Sequence, residues 1–180
     1  MGKSKELATL TDATSIDIAG DLAVGGLTVG TDKLAVDASG RVTMPYQPAF
    51  HSYMFLTNNW TGNAGDVVPF DTAEFNIGGH FNTSTYRFTA PVTGRYLFYV
   101  KLTSYTWWGD YGFYVNGGQK REVEKRDTSQ NNWTPSLDVT LFNLSADDYV
   151  DIRVQYNGGG SYMTDGNSEL WESFGGHLVG

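Results

Sequence analysis

His51, His80 and His177 are the only histidines in the 180-residue chain, and it contains no cysteine. A helical zinc pair needs histidines four residues apart. These three are far apart in sequence, so each is expected to make ordinary hydrogen bonds from a strand or an interface. A metal site rebuilt from histidines of several chains stays open as the alternative. Without cysteine there is no disulfide, no thiolate nucleophile and no sulfur-ligated zinc or iron. Serines and carboxylates are present, but no G-x-S-x-G elbow, H-E-x-x-H pair, phosphate loop or dinucleotide turn gathers them into an activated nucleophile. The chain is expected to be no enzyme.

Two groups of side-chain oxygens suit a hard cation such as calcium: Asp147, Asp148 and Asp151, and Asp165, Asn167 and Glu169. Each also reads as turn chemistry, "SADDY" as a solvated turn between strands and Asp165-Gly166-Asn167 as another. The turn reading is preferred, and no cofactor is expected. Recognition chemistry is denser in "SYTWWGDYGFY", where Trp107, Trp108, Asp110 and Tyr111 form a candidate ligand or partner surface, joined by Asn131, Asn132 and Trp133. Aromatic faces stack on sugar rings or anchor a protein contact, while Asp and Asn orient hydroxyls and amides. Adjacent tryptophans on a regular strand face opposite sides, so one is expected in the core and one outside. Burial, or packing between subunits, is the competing reading of the group. The mixed-sign run from Lys120 to Asp127 reads as a solvated loop or a charged sheet edge.

Strands must position these groups. The chain is 40% hydrophobic and 14% aromatic but only 18% charged, against about 25% charged in ordinary globular domains. Its 22 glycines follow no Gly-X-Y period, so it is turn-rich without being collagen. A net charge of −8 argues against the basic footprint of nucleic-acid binding. No apolar run of spanning length is visible, so no membrane insertion is expected, and no export peptide is seen at the start. The four Asn-X-Ser/Thr sites at Asn59, Asn82, Asn132 and Asn143 are read as incidental.

The organisation changes near Pro45. Residues 1–10 are expected to be disordered, 11–45 to form a glycine-punctuated β arm, and 46–180 a globular head. Apolar pairs at strand spacing recur along the arm: Ile16/Ile18, Leu22/Val24, Leu27/Val29, Leu34/Val36 and Val42/Met44. Glycine and small polar residues interrupt each pair before an ordinary sheet strand is expected, and no aromatic fills a core. Several copies closing around an axis would make a narrow β shaft; a flexible linker is the alternative.

Heavier strands follow Phe50. In "RYLFYVKL", Tyr96, Phe98, Val100 and Leu102 alternate with Leu97, Tyr99 and Lys101; in "DVTLFNL", Val139 and Leu141 alternate with Thr140 and Phe142. "VNGG" at 115–118 predicts a hairpin turn. Eight to ten such strands predict an all-β double-sheet sandwich.

The ordered series in "PFDTAEFNIGGHFNTSTYRFTAPVTGRYLFYV" resembles the globular domain of the complement C1q family, which shares a jelly roll with the tumour necrosis factor ligands. Its carriers are Asn76, Gly78, Phe81, Tyr86, Phe88, Ala90-Pro91, Gly94, Tyr96 and Phe98. "SLDVTLFNLSADDYVDIRVQY" resembles the penultimate hairpin, and "SFGGHLVG" the final strand, with Phe174, Gly176 and Leu178 on its pattern. The resemblance covers about 130 residues and implies a ten-strand jelly roll that assembles as a homotrimer with its termini on one side. Some members bind calcium, which does not assign the carboxylates here. The collagen stalk is replaced by the glycine-punctuated arm, which looks like segments of bacteriophage fibre proteins. The resulting expectation is a non-enzymatic structural or adhesive virion protein, the head of a bacteriophage tail or capsid fibre. It would bind a host glycan, host surface protein or virion surface multivalently. Its partners would be its own copies and other virion proteins, and its place the tail or capsid surface. The alternatives are an architectural capsid decoration or tail connector, and a secreted, extracellular trimeric binding protein.

Overall fold

Alternation of apolar and polar residues at a period of two fixes which side of each strand leaves water, and glycine or asparagine at positive φ fixes where the chain reverses. The computed structural model describes residues 27–29, 34–36, 39–55, 60–104, 109–123, 134–157 and 172–180. The chain divides into two compact units, Met1–Met44 and Pro45–Gly180.

In the first unit, β1 (Leu27–Val29), β2 (Leu34–Val36) and β3 (Val42–Thr43) form an antiparallel sheet in that order. Leu27 stands opposite Val36, Val29 opposite Leu34 and Val36 opposite Val42. Leu27/Val29 and Leu34/Val36 each span a strand of three residues and Val42 opens one of two, short strands at the expected spacing that pair with one another within one chain. The expected disorder of residues 1–10 and the pairs Ile16/Ile18 and Leu22/Val24 lie outside the described residues.

In the second unit the strands are β4 (Ala49–Tyr53), β5 (Thr72–Ile77), β6 (Phe81–Asn82), β7 (Arg87–Thr89), β8 (Gly94–Ser104), β9 (Gly109–Val115), β10 (Gly118–Val123), β11 (Thr134–Leu144), β12 (Tyr149–Asn157) and β13 (Ser173–Leu178). They make two five-stranded antiparallel sheets, β10-β9-β12-β7-β6 and β11-β8-β13-β4-β5. This is an all-β sandwich. Phe50 stacks on Phe81 at 4.7 Å and on Phe88 at 5.1 Å between ring centroids, and meets Phe174 edge-on at 5.0 Å. Tyr96, Phe98, Val100 and Leu102 of β8 are buried, as their alternation predicts. Each such aromatic or branched side chain stabilises the fold by roughly 1.5–3 kcal/mol relative to exposure.

The turns follow local chemistry. Asn116 and Gly117 both have positive φ, 52° and 77°, and link β9 to β10 as a tight hairpin. Asn76 closes the β5–β6 turn from both sides, its Nδ2 donating to the Phe81 carbonyl at 2.8 Å and its Oδ1 accepting from the Phe81 amide at 3.1 Å. Lys120, Arg121 and Glu122 are exposed on β10, an edge strand, where charge hinders pairing with another sheet.

Candidate functional site

The sheet β11-β8-β13-β4-β5 turns one face to the core, and among the described residues no strand packs on the other. On β11 the residues facing outward are Leu137, Val139 and Leu141; on β5 they are Phe75 and Ile77. These five are between 36 and 68% exposed. Phe142, one position out of phase on β11, packs against the core instead. Both edge strands of this sheet therefore carry an exposed apolar row, with β8, β13 and β4 between them, and exposed apolar groups of this kind mark an interaction surface.

Across the centre of the face the register sets Val139, Tyr99, Gly175, His51 and Phe75 in one row. Gly175 has no side chain, and the Tyr99 ring lies over it to reach His51; a Cβ there would collide with the phenol. The Tyr99 oxygen is 2.5 Å from His51 Nδ1, and His51 Nε2 is 3.4 Å from Glu74. Burial, with the Glu74 charge adding to it, pushes the Tyr99 phenol up from its ordinary range. His51 thus bridges the two, its Nδ1 hydrogen-bonded to the Tyr99 hydroxyl and its Nε2 facing the Glu74 carboxylate. His51 is stacked against Phe75 at 6.1 Å and Tyr99 at 5.9 Å. A polar chain thus sits between the two apolar edges, each member in contact with the next inside one protomer. Sequence reading found the alternation on β8 and β11 but did not single out this face, because period two does not say which side is covered.

The aromatic surface candidate is placed only in part. Asp110 is half-buried near the start of β9. Tyr111 was expected on the surface and is instead 3% exposed in the core cluster, because it shares the inward phase of β9 with Phe113. Trp107, Trp108, Asn131, Asn132 and Trp133 lie outside the described residues.

The first cation candidate does not form as grouped. Asp151 is fully buried and its oxygens are taken by arginines: Oδ1 accepts from Arg153 Nε at 2.7 Å, and Oδ2 from Arg87 Nε at 3.0 Å and Arg153 Nη2 at 2.9 Å. That bond raises the Arg153 guanidinium further above its ordinary range. Asp148 closes its turn, accepting from Asn116 Nδ2 at 2.6 Å and the Ser145 amide at 2.7 Å, and these bonds hold its carboxyl below the usual range. Asp147 is exposed in the same turn at a φ of 71°. Among the described residues no group of three or more His, Asp or Glu is arranged to hold a metal; Asp165, Asn167 and Glu169 lie outside them.

Comparison with known proteins bears on this architecture. The family model described as the C1q domain matches residues 49–179. Complement C1q tumor necrosis factor-related protein 6 of Rattus norvegicus is 30% identical over 112 residues, 61% of this chain and 41% of that protein. The chain therefore spans well under half the length of that relative. The globular domain of zebrafish complement 1qA protein superposes with a TM-score of 0.62 at 18% identity, covering 74% of this chain and 98% of the other. Eiger TNF from S. frugiperda gives 0.51 at 14% identity, covering 74% and 93%. At such identities these two structures share the fold.

Proposed function

This chain belongs to the C1q domain family, and from that premise we propose that three copies close through the outward face of β11-β8-β13-β4-β5 into the multivalent binding head of a virion appendage. It is a non-enzymatic C1q-domain protein. The observation that carries the trimer reading is the exposure of Leu137, Val139 and Leu141 on one edge strand and Phe75 and Ile77 on the other, all on the outward face of one sheet. Exposed apolar side chains on both edges of one sheet face are covered economically by copies of the same chain under closed symmetry.

The arm supports the appendage. Its short strands Leu27–Val29, Leu34–Val36 and Val42–Thr43, with glycines in the sequence between them, precede the head in the chain where collagen repeats would otherwise stand. A tail or capsid fibre ending in this head would present three equal sites to a host or virion surface. A secreted trimeric binding protein is the second reading, favoured by the 30% identity to the rat relative. Both readings put the head outside a cell.

The test is the natural assembly. Mass measurement of the full chain at micromolar concentration is expected to give a trimer, and Leu141→Lys a folded monomer, since each protomer would then bury a charge in the interface. Gold-labelled antibody against the head is expected to decorate intact virions at an appendage. A clean wild-type monomer removes the trimer reading; unlabelled particles alongside trimer in the surrounding medium replace the virion by the secreted protein.

A further inference from the structure

The second sheet, β10-β9-β12-β7-β6, borders a recess of about 580 Å³ lined by Trp60, Asp66, Ser84, Thr85, Tyr86 and Arg87, among others. None of these belongs to the apolar face or to the aromatic surface candidate. The recess is shallow and open to solvent, so it offers contacts to one side of a ligand and does not enclose it.

Both walls are held in place. On one side the segment from Gly65 to Val68 runs antiparallel to β12, with the Gly65 amide donating to the Val154 carbonyl at 2.8 Å, Val154 to Asp66 at 3.0 Å and Val68 to Ile152 at 2.8 Å. The partly exposed Trp60 indole is seated by its benzo edge on Gly62 and close to Val154, where a Cβ on Gly62 would collide with it. Asp66 Oδ2 accepts from the Asn63 amide at 2.7 Å and Asn63 Nδ2 at 3.3 Å, while Oδ1 takes no hydrogen bond among the described residues. On the other side Asn82 holds the β6–β7 turn. Its Oδ1 accepts from the Ser84 amide at 2.8 Å and the Thr85 amide at 3.1 Å, and its carbonyl from the Tyr86 amide at 2.7 Å. Tyr86 has a φ of 60°, a conformation that costs a bulky residue free energy and is kept where surroundings impose it, often at binding sites. Arg87 is fixed by Asp151 and by stacking over the Tyr149 ring at 4.4 Å, yet its side chain stays 36% exposed.

We infer that this recess binds a neutral pyranose, its apolar face laid on the Trp60 indole and its hydroxyls shared between the Asp66 carboxylate, the Ser84 and Thr85 hydroxyls and the Arg87 guanidinium. An aromatic plane beside both an acceptor and a donor is complementary to a sugar ring, which carries C–H bonds on one face and hydroxyls around its rim. An anionic ligand would meet the Asp66 carboxylate and a chain of net charge −8. An apolar ligand would leave the polar lining without partners. The inference gives the head's binding role a ligand class, and it stands on one protomer, so it holds whether or not three copies assemble.

The test titrates the full chain with the methyl pyranosides of glucose, galactose and mannose, followed by saturation-transfer NMR and tryptophan fluorescence, with N-acetylneuraminic acid and mannitol as controls. At least one glycoside is expected to bind with Kd on the order of 1–10 mM, as an isolated monosaccharide in an open site does. Trp60→Ala and Asp66→Asn are each expected to weaken it about tenfold or more, the loss of one stacking or one charge-assisted contact. Asp66→Asn keeps the shape and guards against misfolding of Trp60→Ala. The Leu141→Lys chain is expected to keep the wild-type affinity per site. No saturation by any glycoside at roughly 50 mM, some tenfold above typical Kd for such a site, overturns the assignment. So does equal affinity in both recess variants, or binding of the anionic sugar or the acyclic polyol alone.

Discussion

Tyr96 is fully buried with its hydroxyl donating to the Val92 carbonyl at 2.7 Å, and burial pushes its phenol above the ordinary value of about 10. A phenol whose folded-state pKa is raised binds its proton more tightly when folded. Its contribution to stability is therefore complete below the unfolded value and is lost as pH rises through the folded one. At pH 7 Tyr96→Phe should cost about 1 kcal/mol for the lost hydrogen bond. Above pH 10 the wild type alone bears the cost of ionising this buried group, so the two urea midpoints should converge. A gap that stays constant from pH 7 to 11 would show that Tyr96 does not titrate on unfolding. Single residues were also where sequence reading erred. Spacing grouped Asp151 with Asp147 and Asp148, but alternation along β12 separates it from the turn and delivers it to two arginines brought from β7 and β12. Tyr111 followed an aromatic cluster in sequence while its strand phase carried it inward. Both depend on strand phase together with contacts across the sandwich, such as Arg87 reaching Asp151 from β7.

At the scale of elements, β13 shows what two glycines do in one strand. It lies between β4 and β8, and Gly175 and Gly176 point to opposite faces. The three atoms nearest a Cβ on Gly175 all belong to the Tyr99 ring, a side chain that can swing away; a Cβ on Gly176 would lie 2.5 Å from Phe98 Cδ1 and 2.8 Å from the Leu97 carbonyl oxygen, which belongs to the neighbouring strand. Gly176→Ala is therefore expected to destabilise by about 1–3 kcal/mol, as overpacked cores do. Gly175→Ala should cost less than Gly176→Ala while displacing Tyr99 from His51 and weakening trimer formation. Denaturant midpoints and mass measurements on both variants would reveal a reversed order, which would place the critical contact on the outer face. The final strand was legible because its glycines fit an ordered family pattern. The strands of β8 and β11 were legible from period two, and the β9–β10 hairpin from Asn116-Gly117. The arm was less so: composition showed short apolar pairs but not the cross-strand register, such as Leu27 opposite Val36, that lets them form a sheet.

For the whole molecule, weak sites and assembly belong to one argument. A monosaccharide held by one indole and a few hydrogen bonds leaves quickly, and one head carrying a single such site would not stay on a surface. Three sites on one rigid body make the second and third contacts intramolecular, and avidity can exceed single-site affinity by roughly 10²–10⁴ without any new contact. The net charge of −8 per chain triples in a trimer, so long-range attraction to an anionic surface does not supply retention. On a surface coated densely with the glycoside selected by titration, wild type is expected to dissociate at least about a hundredfold more slowly than Leu141→Lys. In solution the two should bind the free glycoside equally. Spreading the glycoside until neighbouring ligands are farther apart than the three recesses should bring wild type to the monomer's rate, because no second contact then fits the span. Fast dissociation of a proven trimer from the dense surface would separate assembly from adhesion and leave the head as an architectural part of its particle.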